Sequence, residues 1–412
     1  MLVRYINIFL RLFTLATRFA FIAVIAYLLP SEDVADYGYI VAISGYFAYV
    51  VGLEFYTFAN REIITSSEES RRTIVFNQLS LYLGLHVFLI PVLALLLICS
   101  GFDISLAIII CVISFLDHFC LESNRILISI GRVNSATIIL FIRGALWSII
   151  AIVIMYSFPE YQTLETVSYT WAGLLIVANI FSLLEVFRLK GKLRLEPRWI
   201  KNGIISCMVL FIASLSSRGV YIFDRFFIES ASDKSILAAY TIYITISNSI
   251  IAAVDAAIVS FLFPMVVKTA HYNDKLSFDA VMKRFKYGCW SISLFSGFIL
   301  ILFIGDIISI LGKSEYYDSL YMFKWIVFSS IMSVFSLPYH VGLYALNKDR
   351  VIMWSSIFSF GVFVVLSYCS ISFLNSVDYV IYAVVLSTIA MFLTKWFSFK
   401  FYYLNEFCES KL

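Results

Sequence analysis

Residues 166–187 read TVSYTWAGLLIVANIFSLLEVF, residues 188–201 RLKGKLRLEPRWIK, and residues 202–228 NGIISCMVLFIASLSSRGVYIFDRFFI. Two long apolar stretches flank a basic one, close to the midpoint of a chain of 412 residues. At about 1.5 Å of rise per residue, roughly 20 apolar residues cross a bilayer. Each flanking stretch is long enough to do so. The basic stretch carries Arg188, Lys190, Lys192, Arg194, Arg198 and Lys201 against a single acid, Glu196. Lys and Arg concentrate on the cytoplasmic side of membrane proteins, so both flanking helices should end there.

The same alternation extends in both directions. Apolar runs of spanning length fall near 5–30, 37–60, 74–99, 104–124, 135–157, 166–187, 202–228, 236–266, 288–311, 319–346, 351–374 and 379–404. Of the 30 basic residues, only Lys234 and Lys313 sit in the connections that should face outward. Arg18, Arg143, Arg218, Arg225 and Lys324 lie deep within runs. Arg11, Lys395 and Lys400 lie towards the terminal ends of the first and last runs and are counted with the termini, and all the others belong to the termini and the alternate connections. The outward connections are short and partly acidic, with Glu32, Asp33, Asp36, Glu160 and Glu165. The expected architecture is therefore an all-α polytopic membrane protein of about twelve transmembrane helices. It forms two six-helix lobes around a central cavity, with both termini cytoplasmic. The domain boundaries expected are 1–187 for the first lobe, 188–201 for a basic cytoplasmic linker and 202–412 for the second lobe.

Composition agrees. Apolar residues make up 61% of the chain and charged residues 14%, with a mean hydropathy of +0.92. A soluble chain of this length needs more charge for its surface. The first run is longer than a signal-peptide core and carries Arg11 and Arg18, so it reads as a spanning helix. A multi-pass protein of a bacterial inner membrane is expected. The seven cysteines form no CxxC and the four histidines show no ligand spacing, so neither a disulfide frame nor a metal site is expected. Gly305 and Gly312-Lys313-Ser314 lack the spacing of a phosphate loop, so no ATP hydrolysis and no cofactor is expected. Nor is nucleic acid a partner. With outward connections too short to hold a catalytic domain, the chain is not expected to be an enzyme.

Six helices per half make both halves start from the same side, which implies a parallel repeat. Leu15-Ala16-Thr17-Arg18 parallels Leu215-Ser216-Ser217-Arg218, Asp33 parallels Asp233, and Glu54 parallels Asp255 with one residue of slip. Arg18 lies roughly 20 Å into its run, and Arg218 sits similarly. Charge at that depth costs about 2.5–3.5 kcal/mol on insertion scales and normally faces a bundle interior or a wet cavity. Arg18, Arg218 and Arg225, seven residues on, are candidates to hold an anionic group; pairing with Asp117 or Glu54 is the structural alternative. For Asp224, Arg225, Asp306 and Lys324, snorkelling to the outer boundary is the simpler account. In the eighth run Thr241, Thr245, Asn248 and Asp255 share one helical stripe, which suits a wet lumen or interhelical bonding. Asn248 and Thr245 are the candidate substrate contacts there. Glu54, Asp255 and Asp117 are candidates for a coupling ion.

A resemblance sharpens this reading. Leu29-Pro30 through Tyr37-Gly38-Tyr39-Ile40, then Gly52-Leu53-Glu54 and Ala59-Asn60-Arg61-Glu62-Ile63, resemble the Wzx-type O-antigen and polysaccharide flippases of the multidrug/oligosaccharidyl-lipid/polysaccharide exporter superfamily. That family has an aromatic-Gly-aromatic element opening its second helix, a Gly further along and an Arg-Glu pair at its cytoplasmic end. Here these are Tyr37-Gly38-Tyr39, Gly52 and Arg61-Glu62. Glu54, just after the Gly, departs from many members. The resemblance implies a flippase for an undecaprenyl-diphosphate-linked oligosaccharide, the repeat unit of O-antigen or capsule in lipopolysaccharide and polysaccharide biosynthesis. It implies alternating access from the cytoplasmic to the periplasmic leaflet, with membrane lipids and a polysaccharide polymerase as partners. Basic residues in helices 1 and 7 line the cavity of related flippases, and Arg18 and Arg218 match that placement. The alternative is a cation-coupled small-molecule exporter of the same superfamily.

Overall fold

The computed structural model describes residues 2–272, 274–374 and 376–408. Among them there is no strand. Helix α1 is Leu2–Leu28, α2 Ser31–Gly52, α3 Tyr56–Thr65, α4 Glu68–Cys99, α5 Ile104–Ser129, α6 Val133–Ser157 and α7 Leu164–Phe187. Then follow α8 Pro197–Ala231, α9 Lys234–His271, α10 Lys275–Leu311, α11 Leu320–Ala345, α12 Asp349–Leu374 and α13 Val377–Cys408. Eleven of these, all but α1 and α3, are long and apolar enough to cross a membrane among the described residues, and α1 adds the apolar segment Ala16–Leu28. Each expected run but the second therefore coincides with one long helix. The chain divides into two compact units, Met1–Phe211 and Ile212–Leu412, here called the first and second lobes.

Helix starts follow ordinary capping chemistry. Asp103, Thr163, Asp233 and Asp274 each accept a backbone N–H from two or three residues on. The Asp233 carboxyl is held below the usual carboxylate range first by the Ile236 N–H and then by the Ser235 hydroxyl. Asp103 and Asp274 are lowered by the same two kinds of donor.

The second run corrects an expectation. It is not one span over 37–60: α2 begins at Ser31 and stops at Gly52, and α3 starts at Tyr56. Leu53 and Glu54 both adopt positive φ, 49° and 53°, which costs a non-glycine residue about 1–2 kcal/mol each. Burial of Phe55 offsets that cost. Its ring lies 5.4 Å from Trp199 and 5.8 Å from Phe58, edge-on to both. Gly203 lets α8 approach this cluster, since a Cβ there would stand 2.4 Å from Phe55 Cε2.

The basic stretch between α7 and α8 lies along the start of α4. Arg72 donates to the Gly191 carbonyl at 3.1 Å and Thr73 to that of Lys192 at 2.8 Å. Asn77 donates to the Arg194 carbonyl at 2.7 Å and accepts from the Glu196 N–H at 2.6 Å. Gly191, at φ 132°, is required there, because a Cβ would meet the Glu69 carbonyl oxygen at 2.1 Å.

Candidate functional site

The first lobe buries a network of ionisable side chains along the inner face of α5. Helix α6 contains a π-helical turn, Ile142–Leu146, a distortion common at functional positions. Arg143 in that turn donates to both oxygens of Asp117, at 2.7 and 2.6 Å. This is a bidentate pair between α5 and α6, the strongest ordinary form of carboxylate recognition. Arg18 of α1 donates to the Gly144 carbonyl at 3.3 Å. Gly144 has no room for a side chain, since a Cβ would lie 2.7 Å from Thr14 and 3.2 Å from the Arg18 guanidinium. Asp117 is thus claimed by Arg143, and Arg18 rests on backbone with its side chain open on the lobe surface.

One turn further along α5, Glu122 is fully buried. It accepts from the Tyr82 hydroxyl at 2.8 Å, from Gln78 at 3.2 Å and from Arg125 at 2.5 Å. The Arg125 guanidinium lies 3.6 Å over the Tyr56 ring. Glu54, also buried, neighbours Tyr56. Sequence reasoning named Asp117 and Glu54 here but missed Glu122, Arg125 and the Arg143 pairing. The available signal was the spacing Asp117-His118-Glu122-Arg125, which places all four within little more than two turns of one helix.

The second lobe arranges its charge differently. Asp224 and Arg225 are both buried, so snorkelling does not explain them. Asp224 accepts from Tyr240 at 2.6 Å, and Arg225 donates to the Tyr221 carbonyl at 2.6 Å and sits 3.4 Å from Asp224. Tyr221 is also hydrogen-bonded to Ser333 at 2.7 Å. Tyr221, Tyr240, Asn248, Trp325, Ser329 and Ser330 line one recess inside this lobe. Asn248 is therefore brought to the same recess as the tyrosines that bond to Asp224 and Arg225. Thr245 turns back on the Thr241 carbonyl at 2.7 Å. Asp255 opens a second π-helical turn, Asp255–Val259, and is exposed, as is Arg218. Lys395 differs from expectation. The sequence placed it with the cytoplasmic charges, but it is 4% exposed inside the bundle.

No group of three or more metal-ligating side chains occurs among the described residues. No family model matches the chain, and no curated protein matches it. Solved structures do. One is described as the inward-facing conformation of a multidrug resistance MATE family transporter of the MOP superfamily; it has a TM-score of 0.78 at 14% identity and covers 95% of each chain. A MOP superfamily transporter from Pyrococcus furiosus, described as having a binding pocket of reversed polarity that suggests a different function, has a TM-score of 0.66 at 15% identity. It covers 97% of this chain and 95% of its own. An outward-facing MATE family transporter has a TM-score of 0.65 at 14% identity, over 95% of this chain and 93% of its own. The fold is that of the MATE transporters.

Proposed function

We propose that the chain is a multi-pass inner-membrane transporter that exports its cargo by alternating access, with both termini cytoplasmic. The observation that carries this reading is a fold similar to solved transporters along nearly its full length, including one inward-facing and one outward-facing form. The alternation of basic connections supports the orientation.

Two cargo readings follow, each with its own support. A cation-coupled exporter of small molecules agrees with the multidrug resistance transporters among the solved neighbours, and the comparisons favour it. Flipping of an undecaprenyl-diphosphate-linked oligosaccharide, as in the Wzx-type flippases, draws on the Tyr37-Gly38-Tyr39 and Arg61-Glu62 elements and on two exposed arginines. Arg18 and Arg218 have exposed side chains at corresponding places in their lobes. An arginine at membrane depth normally faces a bundle interior or a water-filled cavity. In this reading Arg18 and Arg218 engage the diphosphate.

Surface polysaccharide and drug sensitivity, measured in a deletion strain and its complements, separate the two. The flippase reading expects loss of polymer on deletion and in both Arg18→Ala and Arg218→Ala, with the variant proteins still in the membrane. Unchanged polymer with increased sensitivity to small cytotoxic compounds establishes the exporter reading. No change in either phenotype refutes both.

A further inference from the structure

In the first lobe, the connection from α5 to α6 and the end of α7 enclose a cleft of about 360 Å³ whose lining includes Arg132, Asn134, Ser135, Glu185 and Arg188. Glu185 is buried, and its one carboxylate serves two guanidinium groups. Arg132 Nη1 donates to the Glu185 carbonyl at 2.6 Å and to Oε2 at 3.0 Å, and Arg188 Nη1 donates to Oε1 at 2.5 Å. The cleft therefore holds one positive charge in excess. Each guanidinium has five N–H donors in a rigid fork, and both engage Glu185 through Nη1 alone. Among the described residues the Nε and Nη2 donors of both have no further protein partner. Two adjacent forks with donors to spare are the chemistry that recognises a phosphate.

What borders the cleft decides which phosphate. On α7, Ile180, Leu184 and Arg188 follow one another at four-residue intervals, so they share one stripe of that helix, and all three are exposed. Leu184 and Ile180 stand about 6 and 12 Å from Arg188 along the axis. On α6, Ile138 is four residues from Asn134 and three from Ser135, on the same face, and it is exposed too. The two helices pack side by side. Each thus passes from polar groups at its end to uncovered apolar side chains within one turn. A soluble phosphate has no use for that apolar strip. A phospholipid presents the same two chemistries in the same order, phosphate first and acyl chains behind it. Basic pockets between helices at the cytoplasmic boundary suit acidic head groups in particular, because that leaflet carries the anionic lipid.

We propose that this cleft is a binding site for one acidic phospholipid. Its phosphate sits against Arg132 and Arg188, and its acyl chains lie over Ile138, Leu184 and Ile180. The site is separate from the arginines assigned to cargo and rests on neither cargo reading.

The test is native mass spectrometry of the full-length protein in detergent, titrated with phosphatidylglycerol, with phosphatidylcholine of the same chains, and with glycerol 1-phosphate. The expected result is one saturable site that prefers phosphatidylglycerol to phosphatidylcholine by about fivefold or more. Arg188→Gln leaves Glu185 paired with Arg132 and should remove most of that preference. Ser135→Asp places a negative charge in the cleft at a position in the first helical turn where acids are well tolerated. It should remove the preference with thermal unfolding unchanged. Lys283→Gln, at an exposed lysine of α10, should keep it. A parent protein without the preference overturns the proposal, as does a preference that survives in either cleft variant or falls equally in Lys283→Gln. Glycerol 1-phosphate bound as tightly as the lipid would make a soluble phosphoester the occupant and overturn it as well.

Discussion

The two lobes share an architecture but solve the problem of buried polarity in opposite ways. In the first, charge is joined over distance: Asp117 to Arg143 between α5 and α6, and Glu185 to Arg132 between α7 and the start of α6. In the second, the buried pair Asp224 and Arg225 consists of neighbours in sequence on one helix. The second lobe buries more hydroxyls than the first among the described residues, including Ser329, Ser330, Ser336, Ser355, Ser356, Ser359, Ser387 and Thr388. Most of these bond back to a carbonyl three or four residues earlier on their own helix. Across helices both lobes stack rings, Trp147 on Trp171 at 4.9 Å in the first and Trp290 on Phe335 at 4.7 Å in the second. Directed ionic bonds fix the rotation of one helix against another, whereas self-satisfied hydroxyls and rings permit small shifts. Ion pairs between helices are therefore what distinguishes the first lobe among the described residues.

Removing a carboxylate from each lobe tests this contrast. Asp117→Ala leaves Arg143 buried and unpaired and should cost about 3–5 kcal/mol. Thermal unfolding of purified protein should show it, and Asp117→Leu with Arg143→Leu should recover most of the loss. If Asp117→Ala melts like the parent, the ionic framework of the first lobe is not what holds it. Asp224→Asn should cost less, about 1–2 kcal/mol, because an amide oxygen still accepts from Tyr240. An equal or larger loss there would reverse the comparison.

The smallest effect sharpens the helix starts. Asp233 caps α9 and its folded-state pKa lies below the ordinary value, so the stability it adds is complete above about pH 4. That increment is lost as pH falls through the lowered value. Asp233→Asn keeps the cap and should flatten acid sensitivity by a few tenths of a kcal/mol. Melting curves at pH 3 and pH 6 measure it, and an identical acid response in both proteins would remove the charge from the account.

Hydropathy and charge alternation were enough to place every long helix, because a bilayer imposes one length and one sign rule on all of them. The break at Leu53 and Glu54 was not legible, since neither residue favours positive φ and only the packing of Phe55 demands it. Arg18 and Arg218 could be ranked by depth, but depth does not choose partners. Asp117 was open to several arginines, and a π-helical turn that aims Arg143 at it decided the matter. Lys395 misled for a related reason. A basic residue in the last run reads with the charges of the terminus, and only the burial of its side chain shows that it is enclosed.

The segment joining α7 to α8 divides its labour by chemistry. It is fastened to α4 by its main chain, through the carbonyls of Gly191, Lys192 and Arg194 and the amide of Glu196. Its basic side chains Arg188, Lys190, Lys192 and Arg194, with Arg198 and Lys201 at the start of α8, remain exposed. Attachment and charge are thus written in different atoms of the same residues. Mutation can redraw the electrostatic signature of this segment without unfastening it from the folded protein.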